Sequence, residues 1–313
     1  MTEIDSRAAE YKIDMSVNVA GIPLSNPICT ASGTFSARES GQFYDISELG
    51  AAVTKGVSAV PWLGNDTPRI AETYAGMLNS VGLQNPGAEA YIRDELPYLS
   101  EYNTKIITNI AGHSIEEYCE AVRMLNECPE ISMFEINISC PNVSQGGITF
   151  GTDPAMAARV TEEVKKISKK PVMIKLTPNV TDIVEIAKAV ESAGADAVSL
   201  INTLIGMHID LKKRKATLAR KVGGFSGPAI KPVALRMVWQ VANAVNIPVL
   251  GMGGITKGTD AAEFLAAGAS AVSVGTAALS DPTAPVRIKS ELLEYMREND
   301  FASISELKHA FDI

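Results

Sequence analysis

The chain has 313 residues, 46% of them hydrophobic, and carries 28 Lys and Arg against 36 Asp and Glu, a net charge of −8. That acidity argues against a broad nucleic-acid surface, although a few lysines and backbone amides could still bind a small anion. The length suits a single α/β barrel, and the hydrophobic fraction is that of a globular protein with a large core.

The polar, mildly acidic start lacks the apolar stretch of a secretory signal, and no run of about 18 apolar residues follows it. A cytoplasmic protein without a membrane segment is expected. Residues 15–27 alternate around Gly21 as a small hairpin would, placed to cover one end of a barrel. Eight apolar runs follow, at 27–31, 51–55, 105–110, 132–138, 172–176, 196–201, 247–251 and 270–274. They are nearly continuous rather than alternating, as in parallel strands buried on both faces. Helical periods fill 114–127, 154–169, 181–193, 229–245 and 258–267. In the third of these, Ile183, Ile186, Val190 and Ala193 share one face, and Gly194 supplies a stop. The expected fold is α/β, a (β/α)8 TIM barrel forming one domain over residues 1–313, with the N-terminal hairpin added. The connections 56–86 and 203–228 are too long for plain loops. Inserted at the carboxyl face, they should carry substrate contacts or a lid. The run Lys212-Lys213-Arg214-Lys215 reads as a solvated loop or as a docking patch for an acidic partner.

A barrel of this kind works at the carboxyl ends of its strands. The polar residues that fall there are Ser32, Lys55, Asn109, Asn137, Cys140, Lys175, Asn202 and Thr203. Cys140 stands just before Pro141, which cannot join a sheet ladder and biases its predecessor away from helix, so a loop begins there. Asn137 and Asn142 flank this thiol as amides able to hold a planar polar ring, and the thiol itself reads as an acid/base or a nucleophile. GMGGI (251–255) and VGT (274–276) follow the last two strands, where barrels bind phosphate through backbone N–H groups. Phe225-Ser226-Gly227-Pro228 adds a third turn, with Pro228 opening a helix. Residues 77–87 suit a lid gripping a small heterocycle through Asn79. There is no dinucleotide fingerprint and no P-loop. Cys29, Cys119 and Cys128 read as packing residues, and no C-x-x-C pair offers an iron–sulfur or zinc site within the chain. His113, His208 and His309 do not cluster, so no metal is expected.

Taken in order, NISCPN, Lys55, Lys175, NSVGLQNPG, SLINT, GGFSGPAIKP, GMGGI and VGTA resemble dihydroorotate dehydrogenases of class 1 over about residues 15 to 300. The loop 143–153 is similar to that of class 1B. The resemblance implies oxidation of dihydroorotate to orotate, with a proton leaving carbon 5 and a hydride passing from carbon 6 to nitrogen 5 of FMN. It makes Cys140 the base and Lys55 a bridge between substrate and flavin. Asn79, Asn137, Asn142, Asn202 and Thr203 would hold the substrate, with Ser80, Val81, Gly82 and Leu83 beside it. Lys175 would stabilise charge on the flavin near nitrogen 1. Ala31, Ser32, Gly33, Gly56, Asn109, Asn137 and Ile201 would line the cofactor. Ser226, Gly227, Gly253, Gly254, Gly275 and Thr276 would hold its phosphate. Class 1B further implies electron transfer to NAD+ through a partner subunit with FAD and a 2Fe–2S cluster, on a homodimer core of a heterotetramer.

A second flavoenzyme and a flavin-free lyase stand beside this reading. A dihydropyrimidine dehydrogenase shares the stretch KLTPNVTDIV but tends to place histidine where this chain has Asn142, and it need not grip a carboxylate. A Schiff-base aldolase on the same barrel would use Lys55 or Lys175 without flavin and trap substrate under borohydride. A barrel that only binds a partner is disfavoured by the intact set of thiol, lysines and amides.

Overall fold

The computed structural model describes residues 13–139 and 150–313, so Cys140, Asn142 and most of the class-specific loop lie outside the described residues. A hairpin of β1 (Val17–Val19) and β2 (Ile22–Leu24) opens the described chain. It turns at Gly21, whose φ of 82° suits a residue without a Cβ. The first two barrel strands are β3 (Ile28–Thr30) and β4 (Ala51–Val53), with β5 (Ile70–Thr73) and β6 (Gly76–Asn79) in the insertion that follows. β7 (Lys105–Ile110), β8 (Ile131–Asn137), β9 (Val172–Lys175) and β10 (Ala197–Leu200) continue the barrel. The second insertion holds β11 (Leu204–Met207), β12 (Ile209–Asp210), β13 (Lys215–Ala216) and β14 (Val222–Ser226). β15 (Val249–Met252) and β16 (Ala271–Val274) complete the ring, which closes in the order β10-β15-β16-β3-β4-β7-β8-β9.

Short helices α1 (Ala37–Ser40), α2 (Ala88–Ala90) and α3 (Leu96–Leu99) precede the five long crossovers. Those are α4 (Ile115–Leu125), α5 (Pro154–Ile167), α6 (Ile183–Ser192), α7 (Lys231–Ala242) and α8 (Gly258–Ala266). Each of the first three starts on a side chain that satisfies an otherwise orphan N–H: Ser114, Asp153 and Asp182 accept from Glu117, Met156 and Val184. Helices α9 (Ala277–Ser280), α10 (Ala284–Glu298) and α11 (Ile304–His309) follow the last strand, beyond the elements that periodicity names. α10 packs on α8 and on the outside of β3. No helix among the described residues is long and apolar enough to cross a membrane.

Strand side chains alternate between the two surfaces of the ring. Val172 and Ile174, Val198 and Leu200, and Val272 and Val274 face the helices. Met173, Ala197, Leu250 and Ala271 face inward, where Val19 and Leu24 of the hairpin join them. One inward step further along β8, β9, β10 and β16 the side chains turn polar: Glu135, Lys175, Ser199 and Ser273 are all buried there. The lower layer is thus an apolar plug and the upper one the floor of a site. Cys29 belongs to the lower layer, and burial pushes its thiol up to about 12.

The two long insertions fold together. β11, β14, β6 and β5 form one antiparallel sheet, with Gly224 opposite Asn79 and Leu204 opposite Phe225. The basic run is the exposed turn between β12 and β13, where Asp210 accepts the backbone N–H groups of Lys212 and Lys213.

Candidate active site

One cavity of about 1030 Å³ opens at the carboxyl ends of the barrel strands. The inserted sheet forms part of its wall. Every sequence-selected residue among those described lines it, except Asn109.

The floor is built by register. β8 and β9 bring Asn137 opposite Lys175, and β9 and β10 bring Lys175 opposite Ser199. Lys175 is 4% exposed, donates to Ser32 Oγ at 2.9 Å and stands 3.8 Å from Glu135 Oε2. Glu135 is wholly buried and also accepts from Ser199 Oγ at 2.6 Å and Asn109 Nδ2 at 2.5 Å. Asn109 therefore lies behind the wall rather than on it, with its Oδ1 unpartnered among the described residues. A Cβ on Gly56 would come within 3.0 Å of that oxygen, so the wall is thin there because residue 56 is glycine. The Asn109 amide N–H is taken up by Glu135, which sets where its side chain stands.

A chain of amides crosses the floor. Asn202 Nδ2 reaches Asn137 Oδ1 at 3.4 Å, and Asn202 Oδ1 accepts from Thr203 N at 2.8 Å. Tyr118, outside the barrel, donates to the Asn137 carbonyl at 2.7 Å and fixes that strand end. Lys55 lies two residues past β4 and faces the cavity with Gly56. On the sheet side, Asn79 reaches Gly224 O at 3.5 Å. The following turn, Ser80 to Leu83, is held from behind by Asn85, which accepts from Ser58 N and Gly87 N and donates to Leu83 O. The Oγ atoms of Ser80 and Ser273 are buried at the cavity with no hydrogen-bond partner among the described residues. Unpaired polar atoms of this kind are costly unless a ligand satisfies them.

The opposite side is backbone. Gly253 and Gly254 have φ of 129° and 79°, conformations that glycine adopts without strain. The N–H groups of Gly254, Gly275 and Thr276 donate to no backbone carbonyl among the described residues. Thr276 Oγ1 donates to Ser226 Oγ at 2.8 Å, joining this edge to the β14 turn at Gly227. Free N–H groups at two neighbouring strand ends fit a phosphate, and the size of the cavity and its amide floor fit a planar ring system attached to it.

Residues beyond the sequence selection also contribute. Asn179 links Thr177 Oγ1, Thr203 O and Ile205 N, and it lines the cavity just after Lys175, where the strand-end rule would have reached it. Asn65 accepts from Arg220 and donates to Ser80 O, tying the two insertions together. Glu135 had a visible signal too: an acid inside an apolar strand, two residues before Asn137, must be partnered in the interior.

A family model described as dihydroorotate dehydrogenase matches residues 14–296. The chain is 58% identical over 298 residues to the dihydroorotate dehydrogenase B (NAD(+)) catalytic subunit of Alkaliphilus metalliredigens, covering 95% of this chain and 98% of that one. It is 54% identical to the protein of the same name from Pelobacter propionicus, over 96% of this chain and 99% of the relative. Among solved structures, the crystal structure of DHODH in complex with ferulenol from Eimeria tenella matches with a TM-score of 0.78 at 21% identity. That match covers 94% of this chain and 87% of the other, and at such identity it supports the barrel fold alone. By family model and near full-length relatives, the chain belongs to the dihydroorotate dehydrogenase family, and within it to the oxidoreductases of class 1B.

Proposed function

We propose that this chain oxidises dihydroorotate to orotate in pyrimidine synthesis, as the FMN-carrying subunit of an assembly that delivers electrons to NAD+. The observation that supports this reading best is a single cavity gathering free backbone N–H groups, a buried lysine and a row of amides. Gly253, Gly254, Gly275 and Thr276, with Ser226 and Gly227, would hold the phosphate of FMN. Ala31, Ser32, Gly33, Lys55, Gly56, Asn137, Lys175 and Ile201 would line the rest of it. Bound there, FMN supplies the hydride acceptor for carbon 6 of dihydroorotate.

The chain's own part is positioning and proton transfer. Cys140 takes the proton from carbon 5. Lys175 brings a positive charge against the ring site before the reaction starts, so no reorganisation is needed when charge develops. Lys55 serves the substrate carboxylate and the cofactor edge. Asn79, Asn137, Asn142 and Asn202 hydrogen-bond the pyrimidine ring and its carboxylate, with Thr203 assisting. Ser80, Val81, Gly82 and Leu83 cover them from the inserted sheet. The relatives' name, a catalytic subunit of an NAD(+) enzyme, supports a separate electron-transfer subunit, for which FAD and a 2Fe–2S cluster are the expected carriers. A homodimer at the core of a heterotetramer is the expected assembly.

Purified alone, the chain should be yellow, and anaerobic dihydroorotate should bleach the flavin band while dihydrouracil leaves it unchanged. NAD+ should be reduced only when the partner subunit is added. A colourless protein, or bleaching by dihydrouracil instead, contradicts the assignment. A smaller test concerns Gly275. Among the described residues a Cβ there would meet Ala31 Cβ at 3.4 Å and Thr34 Oγ1 at 3.9 Å, both ordinary contacts, so the protein itself does not demand glycine. Gly275→Ala should leave unfolding within about 0.5 kcal/mol of wild type yet weaken FMN binding about 10-fold, as measured by denaturant titration and flavin fluorescence.

A further inference from the structure

The turn after β15 runs Gly253-Gly254-Ile255-Thr256-Lys257 into α8, and its glycines have no side chains with which to brace themselves. The brace comes from Asp260, the third residue of α8, which is 2% exposed and does not line the cavity. Its Oδ2 accepts from Thr256 N at 2.8 Å, Thr256 Oγ1 at 2.8 Å and Lys257 N at 3.1 Å. Its Oδ1 accepts from Lys231 Nζ at 2.7 Å, and Lys231 also reaches Glu263 at 2.9 Å. Lys231 is the first residue of α7, and its backbone N lies 2.8 Å from where a Cβ on Gly254 would stand. The carbonyl of Gly227 lies 2.9 Å from the same point. One carboxylate thus ties the β15 turn to the start of α7 and, through it, to the β14 turn. Burial alone would raise the Asp260 pKa, but the hydrogen bonds from Lys231 and Thr256 outweigh it and hold the carboxyl below its ordinary range. A bare carboxylate near a phosphate site would repel the ligand, and the Lys231 ammonium offsets that charge.

We propose that Asp260 is a positioning residue for the cofactor phosphate: by clasping Thr256, Lys257 and Lys231 it fixes the Gly253-Gly254 turn so that Gly254 presents its N–H to the anion. The role rests on the FMN reading above. It acts through backbone geometry, so it bears on the phosphate and not on the ring.

The test compares FMN with riboflavin, which carries the same ring without phosphate. Flavin-stripped full-length chain is titrated with each ligand and followed by flavin fluorescence. Wild type should bind FMN more tightly than riboflavin. Asp260→Asn keeps the shape and loses the charge, and it should weaken FMN about 10-fold, the scale of one charge-assisted hydrogen bond, while riboflavin stays within about 2-fold. Thr256→Val removes one arm of the clasp and should shift the ratio in the same direction by less; it decides the matter if Asp260→Asn does not fold. An unchanged ratio in the folded variants, with both ligands weakened together or neither, overturns the positioning role. A wild type that binds FMN and riboflavin equally overturns the phosphate reading itself.

Discussion

Cys140→Ser is expected to lower kcat for dihydroorotate oxidation by at least about 100-fold, the usual scale for losing a general base. A free thiol titrates near about 8.5, so the wild-type enzyme should gain turnover as pH rises through that range, because the thiolate is the form that takes the proton. A serine hydroxyl stays protonated across the same range, so the variant should lose that limb of the profile. Steady-state kcat against pH with saturating dihydroorotate reads both effects. The other thiols provide the control. Burial holds Cys29 up to about 12 and also raises Cys119 and Cys128, so none of them would contribute a limb near neutral pH. Cys119→Ser should retain the wild-type profile. Near-wild-type turnover in Cys140→Ser, or a wild-type kcat flat across the thiol range, would remove Cys140 as the base.

Lys175→Met is expected to combine two large losses that a second substitution separates. Lys175 and Glu135 face each other at 3.8 Å inside the barrel, 4% and 0% exposed. Removing the ammonium leaves the Glu135 carboxylate buried with Ser199 and Asn109 as its partners among the described residues. Stability should fall by about 3 kcal/mol, as when one member of a buried ion pair is deleted. Anaerobic flavin bleaching by dihydroorotate should slow about 100-fold, because a charge fixed at the ring site is lost. Adding Glu135→Gln should recover about half of the stability, since the stranded charge goes, yet recover none of the rate. Urea unfolding and stopped-flow bleaching measure the two quantities separately. If the double variant regains the rate, Lys175 acts only through packing.

The sequence alone determined the barrel. All eight apolar runs became its strands, because β-branched residues buried on both faces have few other stable arrangements and Gly194 and its counterparts punctuate them. The strand-end rule likewise placed Lys55, Asn137, Lys175 and Asn202 around one cavity, since parallel strands in a closed ring deliver their carboxyl ends to one face. Tertiary structure decided what short-range pattern does not encode. Residues 56–86 and 203–228 read as two separate loops, yet they pair across more than a hundred residues into one sheet, with Asn79 against Gly224. Ladder hydrogen bonds between distant segments leave no local period to read. Asn109 stands at a strand end, and it is Glu135 of the next strand that holds its amide. Asp260 reads as an ordinary first-turn acid of a helix, and only the approach of α7 makes it the clasp of a turn. Where a residue's place follows from its position at a strand end, the sequence named it; where it follows from partners on distant elements, as with the inserted sheet and the Lys231 clasp, the closed barrel had to bring them together.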